Sequence, residues 1–405
     1  SFIGSYKLGL GFTFDDTDKK GVANSLSEMD RLIGEDPRNA ERIFPYLGGE
    51  ELNDSPTHTH HRYAINFANF PLRREKTIGR IWNAAGEDQQ TLWLRSGIVP
   101  EDYPEPVAAD WPDLLDIVER KVKPERDKDN RDVRRKFWWR YAENTPALYA
   151  ACTGRNSVFA LSQTSKHLAL AIIPTRTVFS HKLVVFPDDN CALVAIVQST
   201  AHLEWMRFFG SSLEDRPVYT PSDCFETFPF PAGWETDAAL EAAGREYYEA
   251  RAALMVANTE GLTKTYNRFH DPTEDASGIV NLRRLHAALD HAVLAAYGWS
   301  DLVEAGRCAC EFIPEYYDEP EQEGGDPVPK SIRYRWPDTT RDEVLARLLK
   351  LNAERAAAEG SQPAKQSAKG TGTKPPGRKS SRNTSGSAPP AQGELLDPPQ
   401  PDLFG

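Results

Sequence analysis

Cysteine is scarce in this chain. Five occur in 405 residues: Cys152, Cys191, Cys224, Cys308 and Cys310. The number is odd and the spacing wide, which excludes a disulfide-stapled secreted scaffold. Only Cys308 and Cys310 are close, and one intervening residue is not the usual zinc or redox spacing. The reading is therefore reduced, mostly buried thiols, with zinc a minor alternative. Long apolar runs are also missing: no stretch approaches the roughly 20 residues needed to cross a bilayer. The opening "SFIGSYKLGLGFTF" lacks a basic region and a small-residue cleavage site, so it is not a signal peptide. A cytoplasmic protein with no membrane partner is expected. The first residue is Ser1 rather than Met, which reads as processing or as a piece of something longer. Positive charge is in deficit too. The net charge of −12 argues against a broad nucleic-acid coat, yet it leaves room for a local basic stripe.

Several catalytic signatures are absent. There is no GxxxxGK[ST] loop, which excludes a P-loop NTPase. "LGLGF" (8–12) has two glycines without a correctly spaced third or an acidic ribose partner. "THTHH" (57–61) has three histidines but no HExxH and no second ligand cluster, so a solvated loop is the stronger reading. No GxSxG elbow is present, and Cys224 has no base nearby in sequence. No metal site is expected.

What is present is an ordinary globular composition, 40% hydrophobic and 27% charged, long enough for two or three folded units. Residues 24–33 have helical character, and "RYAINF" (62–67) alternates like a strand. "WPDLLDIVERKVK" (111–123) reads as a helix with Pro112 in its first turn and Leu114, Leu115, Val118 and Val122 on one face. From 157 to 199, "SVFALSQ", "LALAIIP", "TVFS", "KLVVF" and "ALVAIVQS" are short β-rich runs that predict a compact sheet, with "TAHLEWMRFFGSSL" as a helix on it. The prolines of "PSDCFETFPFP" (221–231) stop regular structure, and its phenylalanines call for a core. Helices are expected at 237–258, 279–296 and 341–360, the last ended by Gly360. Residues 361–393 carry Lys365, Lys369, Lys374, Arg378, Lys379 and Arg382 among Ser, Pro, Gly and Ala, with no acid. That composition predicts disorder.

One stretch concentrates charge. Between Arg120 and Arg140 ten basic and four acidic residues leave a local excess of 10 − 4 = +6, closed by Trp138 and Trp139. Such a run suits phosphate contact with aromatic stacking. It also suits a solvated charged loop leading to two core tryptophans.

"SFIGSYKLGLGFTF", "ERIFPYLGGEELN", "DIVERKVKPERDKDN", "KFWWRYAENTPALYA", "VFSHKLVVF", "YTPSDCFETFPFP", "GLTKTYNRFHDP" and "LHAALDHAVLAAYGW" follow in this order. Together they resemble the C-terminal half of MmeI-like type IIL restriction–modification enzymes and related adenine-specific class I DNA methyltransferases, over about residues 1–355. The resemblance implies an α+β fold. A mixed, β-rich DNA target-recognition domain (1–232) would precede a small helical domain (233–360) and a disordered basic tail (361–405).

It also implies sequence-specific recognition of double-stranded DNA for an adenine-N6 methyltransferase or restriction–modification enzyme. The catalytic half, with its Gly-rich S-adenosylmethionine loop, NPPY-type motif and nuclease motif, is missing from this chain. No cofactor is expected here; S-adenosylmethionine would serve the complete enzyme, and Mg2+ a nuclease. The resemblance shifts the basic run toward function, with Lys121, Lys123, Arg126, Lys128, Arg134, Arg135, Lys136 and Arg140 as phosphate ligands. The base-reading candidates are Gln163, Lys166, His167, Arg176, His181 and Lys182.

Two other readings stand beside it: a free-standing specificity protein acting in trans in phage defence, and an independent enzyme using His270 or the histidine loop. "GLTKTYNRFHDP" (261–272) reads as a helix-to-helix connection, with Lys264 and Arg268 near phosphate and Tyr266 and Phe269 packing. "QPDLF" (400–404) resembles the peptide by which bacterial proteins dock on the replication sliding clamp, with Gln400, Leu403 and Phe404 as anchors. A chance match in a disordered tail is the alternative.

Overall fold

Alternating β-branched and aromatic residues build two four-stranded sheets that share partners from distant parts of the chain. A computed structural model describes residues 1–213, 216–316 and 329–360; the basic tail and the Gln400, Leu403 and Phe404 anchors lie outside the described residues. In the first sheet Phe2–Ile3, Leu183–Phe186, Ser157–Ser162 and Ala171–Pro174 lie side by side in that order, all antiparallel. Phe2 faces Val185, Val184 faces Leu161 and Phe159 faces Ile172. The second sheet runs Thr13–Phe14, Arg62–Ile65, Ile43–Leu47 and Val178–Phe179, with the last pair parallel.

The expected compact sheet of 157–199 is therefore corrected in three ways. Val178–Phe179 leaves it for the second sheet, and Phe2–Ile3 enters it. "ALVAIVQS" is not a strand: Cys191–Gln198 is an α-helix with all eight residues buried. A continuous apolar run has no face to alternate, so its pattern fits a fully buried helix as well as a strand. Asn190 decides the outcome locally, because its side chain accepts the Ala192 N–H at 2.8 Å as an N-cap.

The Cys191–Gln198 helix packs along Ala238–Asn258. At Gly244 a Cβ would collide with the Cys191 carbonyl, so the missing side chain permits the close approach. Ser277–Ala296 buries Ile279, Leu282, Leu285, Leu289 and Val293, the stripe expected from its spacing. The last helix starts at Asp338, three residues earlier than expected, and runs to Gly360. "GLTKTYNRFHDP" is itself helical over Leu262–Phe269, which corrects its reading as a connection. Leu262, Thr265, Tyr266 and Phe269 recur at helical spacing and are buried.

One hydrophobic cluster joins the first sheet (Val158, Ala160, Val185) to Trp205 and onward to Tyr247, Leu289 and Leu348. A second gathers Phe12, Phe14, Phe44, Ile65, Leu114, Trp138 and Trp139. Cys152, Cys191, Cys224 and Cys308 are buried and Cys310 is half-buried; all five thiols are free. Among the described residues no helix is long and apolar enough to cross a membrane.

Candidate nucleic-acid interface

The basic run folds as the end of the Pro112–Lys121 helix and two short helices, Lys123–Arg126 and Asp132–Lys136. Its two tryptophans are core. Trp139 donates its indole N–H to the Phe70 carbonyl at 3.0 Å. Gly97, at φ 80°, leaves room for the ring where any Cβ would press on it.

The cations divide into inward and outward groups. Arg126 is only 2% exposed and donates to the carbonyls of Lys7 (3.0 Å) and Arg140 (3.3 Å). Burial, with Arg134 nearby, pushes its guanidinium down to about 10. Arg140 donates to the Phe70 carbonyl and lies against the rings of Phe137 (4.5 Å) and Trp139 (5.3 Å); burial pushes it down to about 9. Both act as internal posts that hold chain segments together. Lys121 donates to the Val22 and Ala23 carbonyls.

The outward group is held more loosely. Lys123 pairs with Glu119 at 2.7 Å and Arg135 pairs with Asp132. Lys136 is exposed and donates to the Arg95 carbonyl at 2.7 Å. Lys128 is exposed and makes no side-chain hydrogen bond or ion pair among the described residues.

Arg134 links this run to the first sheet. It pairs with Asp129 at 3.4 Å, and its guanidinium carbon lies 5.7 Å from the Tyr6 ring centroid. The His181 ring meets Tyr6 edge-on, with centroids 4.6 Å apart. Backbone bonds fix that neighbourhood: His181 N–H donates to the Ser5 carbonyl (2.9 Å), and Gln163 N–H donates to the Lys182 carbonyl (2.8 Å). Burial and Lys182 hold the His181 imidazole below its ordinary pKa, so it is neutral at pH 7. Its Nδ1 is buried with no hydrogen-bond partner.

Gln163, His181 and Lys182 thus sit together and reach the basic run through Tyr6. Lys166 and Arg176 stand elsewhere. Arg176 donates to the Ala40 carbonyl at 3.2 Å over the Phe44 ring, and Lys166 meets Asn267 at 3.3 Å. Tyr6 escaped the sequence reading. A lone tyrosine near the chain start carries no spacing signal, and only the pairing of Phe2–Ile3 with the sheet brings it there.

A cavity of about 520 Å³, including its open mouth, lies between the helices, the 166–168 segment and the Pro329–Arg335 strand. Lys166, His167, Arg207, His270 and Arg333 are among its walls. Arg333 donates to His167 Nδ1 at 3.0 Å, which fixes a neutral imidazole whose Nε2–H donates to Asn267 at 3.0 Å. Burial, then Arg333, pushes His167 down to about 3. His270 stacks on His167 at 5.3 Å and accepts the Tyr334 N–H at 3.1 Å; burial holds it well below the ordinary range as well. Both histidines therefore serve as fixed hydrogen-bonding plates. Arg268 is committed to Glu260 (3.0 Å) and Glu274 (2.7 Å). In the histidine loop His58 Nδ1 bonds the Leu52 carbonyl at 2.8 Å, and burial pushes the ring down to about 4.

Residues 107–232 match the family model described as MmeI, target recognition domain. Both the basic run and the Gln163–His181–Lys182 group fall inside the matched residues. Among solved structures, a type IIL restriction–modification enzyme, MmeI, in complex with DNA is similar. The identity is 16% and the TM-score 0.47, over 88% of this chain. The present chain spans 36% of the length of that one. No curated protein matches the chain.

Proposed function

We propose that this chain is the DNA-reading part of a modification or restriction–modification enzyme, with double-stranded DNA as its partner and the methyltransferase half as a separate or preceding piece. The target-recognition match over 107–232 carries this reading. Residues 1–232 form the reading unit in this proposal, and 233–360 form a helical unit packed on its sheet. The outward cations Lys123, Lys128, Arg135 and Lys136 supply phosphate contacts, because a mobile ammonium or half-exposed guanidinium can exchange its partner for phosphate at little cost. Arg126 and Arg140 act indirectly by fixing the run. Gln163, His181 and Lys182 read base edges: an amide offers donor and acceptor together, and the His181 imidazole, its Nδ1 being buried, has Nε2 to offer. S-adenosylmethionine, and Mg2+ where cleavage occurs, belong to the catalytic half, which would extrude and methylate an adenine.

Fluorescence anisotropy with a labelled duplex at several salt concentrations tests this. The expected result is duplex binding that weakens steeply with salt. Lys128→Gln and Lys136→Gln should each reduce the slope of log K against log[salt] by about one, with thermal stability unchanged. Absence of duplex affinity at low salt would overturn the reading, and so would methyl transfer by this chain alone.

A further inference from the structure

The Ser277–Ala296 helix carries His286 and Asp290 one turn apart, beside the start of the Thr200–Phe209 helix. The chain returns to them at Cys310, one residue before the Glu311–Tyr316 strand. A ring nitrogen of His286, a carboxylate oxygen of Asp290 and the Cys310 sulfur all lie within 4.8 Å of one another.

The tautomer of His286 is set by its other ring nitrogen. Nε2 lies 3.2 Å from the Gln198 carbonyl oxygen, and a carbonyl can only accept, so Nε2 carries the hydrogen. In a neutral imidazole the lone pair then sits on Nδ1. That atom is buried with no hydrogen-bond partner, in a residue 9% exposed. It faces Asp290 Oδ2 at 3.7 Å. Asp290 is 1% exposed, and its oxygens accept the Thr200 N–H and hydroxyl at 2.7 Å each. Those bonds satisfy its lone pairs in part but bring no opposing unit charge. Two electron-rich atoms and a thiol therefore converge on one buried point, an arrangement that calls for a cation between them.

We propose that His286 Nδ1, Asp290 and Cys310 Sγ bind a divalent cation of the zinc class. Imidazole nitrogen, carboxylate oxygen and thiolate sulfur are the donors zinc takes, and the Gln198 carbonyl orients the imidazole from behind as an outer partner. A nitrogen and an oxygen donor on a tetrahedral zinc stand roughly 3.3–3.5 Å apart given its bond lengths, so the His286–Asp290 pair, at 3.7 Å, has only to close slightly on the ion. Water from the adjoining cavity, whose walls include His286 and Thr200, completes the shell. Binding displaces the Cys310 thiol proton to solvent. The ion ties the segment after Cys308 to the Ser277–Ala296 helix and so acts as a structural strut. The short Cys-x-Cys spacing concealed it, because two of the three ligands come from a helix about twenty residues upstream.

The full chain, grown with zinc and desalted, is measured for metal by mass spectrometry; stripped protein is then titrated with Co2+. About one zinc per chain is expected, with a near-ultraviolet thiolate-to-cobalt band and visible ligand-field bands. Cys310→Ala should abolish the near-ultraviolet band and weaken retention at least about tenfold; His286→Ala should abolish retention. A metal-free parent with no cobalt spectrum would overturn the site. An unchanged cobalt spectrum in Cys310→Ala would overturn it as well. The parent spectrum needs no variant to fold, and neither readout depends on DNA binding.

Discussion

Lys7 shows how one side chain couples the fold to pH. It is 7% exposed, with Nζ donating to the Thr13 hydroxyl at 2.8 Å and lying 4.7 Å from the Tyr46 ring. Burial, then the nearby Arg62, lowers its pKa from 10.5 to about 7. The unfolded chain keeps this proton up to about pH 10.5, whereas the folded chain gives it up above about pH 7. Between those values the unfolded state holds more protons, so stability rises with pH; the penalty is complete below pH 7. Lys7→Met should therefore be more stable than the parent at pH 6, and the difference should shrink steadily toward pH 10. Urea unfolding at pH 6, 8 and 10 checks this, and parallel curves for the two proteins would contradict it.

Residue types revealed part of this scale and hid the rest. The charge excess of 120–140 was visible as composition. That Arg126 and Arg140 point inward while Lys128 and Lys136 point outward was not. Direction depends on where Lys7 and Phe70 place their carbonyls, and those segments are distant in sequence.

Among the elements, helices with one apolar face were legible because periodicity records burial on one side. Pro112–Lys121, Ala238–Asn258 and Ser277–Ala296 all lie close to their expected positions. Cys191–Gln198 was not, because a segment buried on every side has no periodicity to read. Sheet membership was equally hidden, since Phe2–Ile3 and Thr13–Phe14 are two residues each and gain strand character only from their partners.

The Gly244 contact gives this level its test. Replacing glycine by alanine inside a helix ordinarily gains about 1 kcal/mol. Here the added methyl meets the Cys191 backbone, which cannot rotate away as a side chain would. Overpacking of this kind costs about 1–3 kcal/mol or more and should outweigh the helix gain. Gly244→Ala should lower the thermal midpoint by several degrees, whereas Gly34→Ala, with open space around it in the Leu26–Glu35 helix, should raise it slightly. Equal shifts in both variants would mean the two helices do not approach as described.

For the whole molecule, the balance of buried histidines sets its behaviour in acid. His202 is fully enclosed, bonds the Tyr219 hydroxyl at 3.0 Å and is pushed by burial to about 3. His167 is also near 3 and His58 near 4, again chiefly through burial. Each takes up a proton near pH 6.5 when the chain unfolds. The stability these neutral rings contribute is complete above pH 6.5 and is lost progressively as pH falls toward their folded values. Glu204 works in the opposite sense, because burial raises its carboxyl above the ordinary range; three histidines outweigh it. The three lie in different parts of the structure, on the Thr200–Phe209 helix, in the wall of the cavity and in the 57–61 loop, so protonation strikes several packing regions together. Thermal unfolding should shift to lower temperature between pH 6.5 and 4.5. Calorimetry of His202→Gln at pH 5 should show about one proton fewer taken up on unfolding than in the parent. Identical uptake in the two proteins would mean that His202 is already charged inside the fold. The Tyr219 hydroxyl would then have to accept from an imidazolium in an apolar core, at a desolvation cost that one neutral hydrogen bond does not offset.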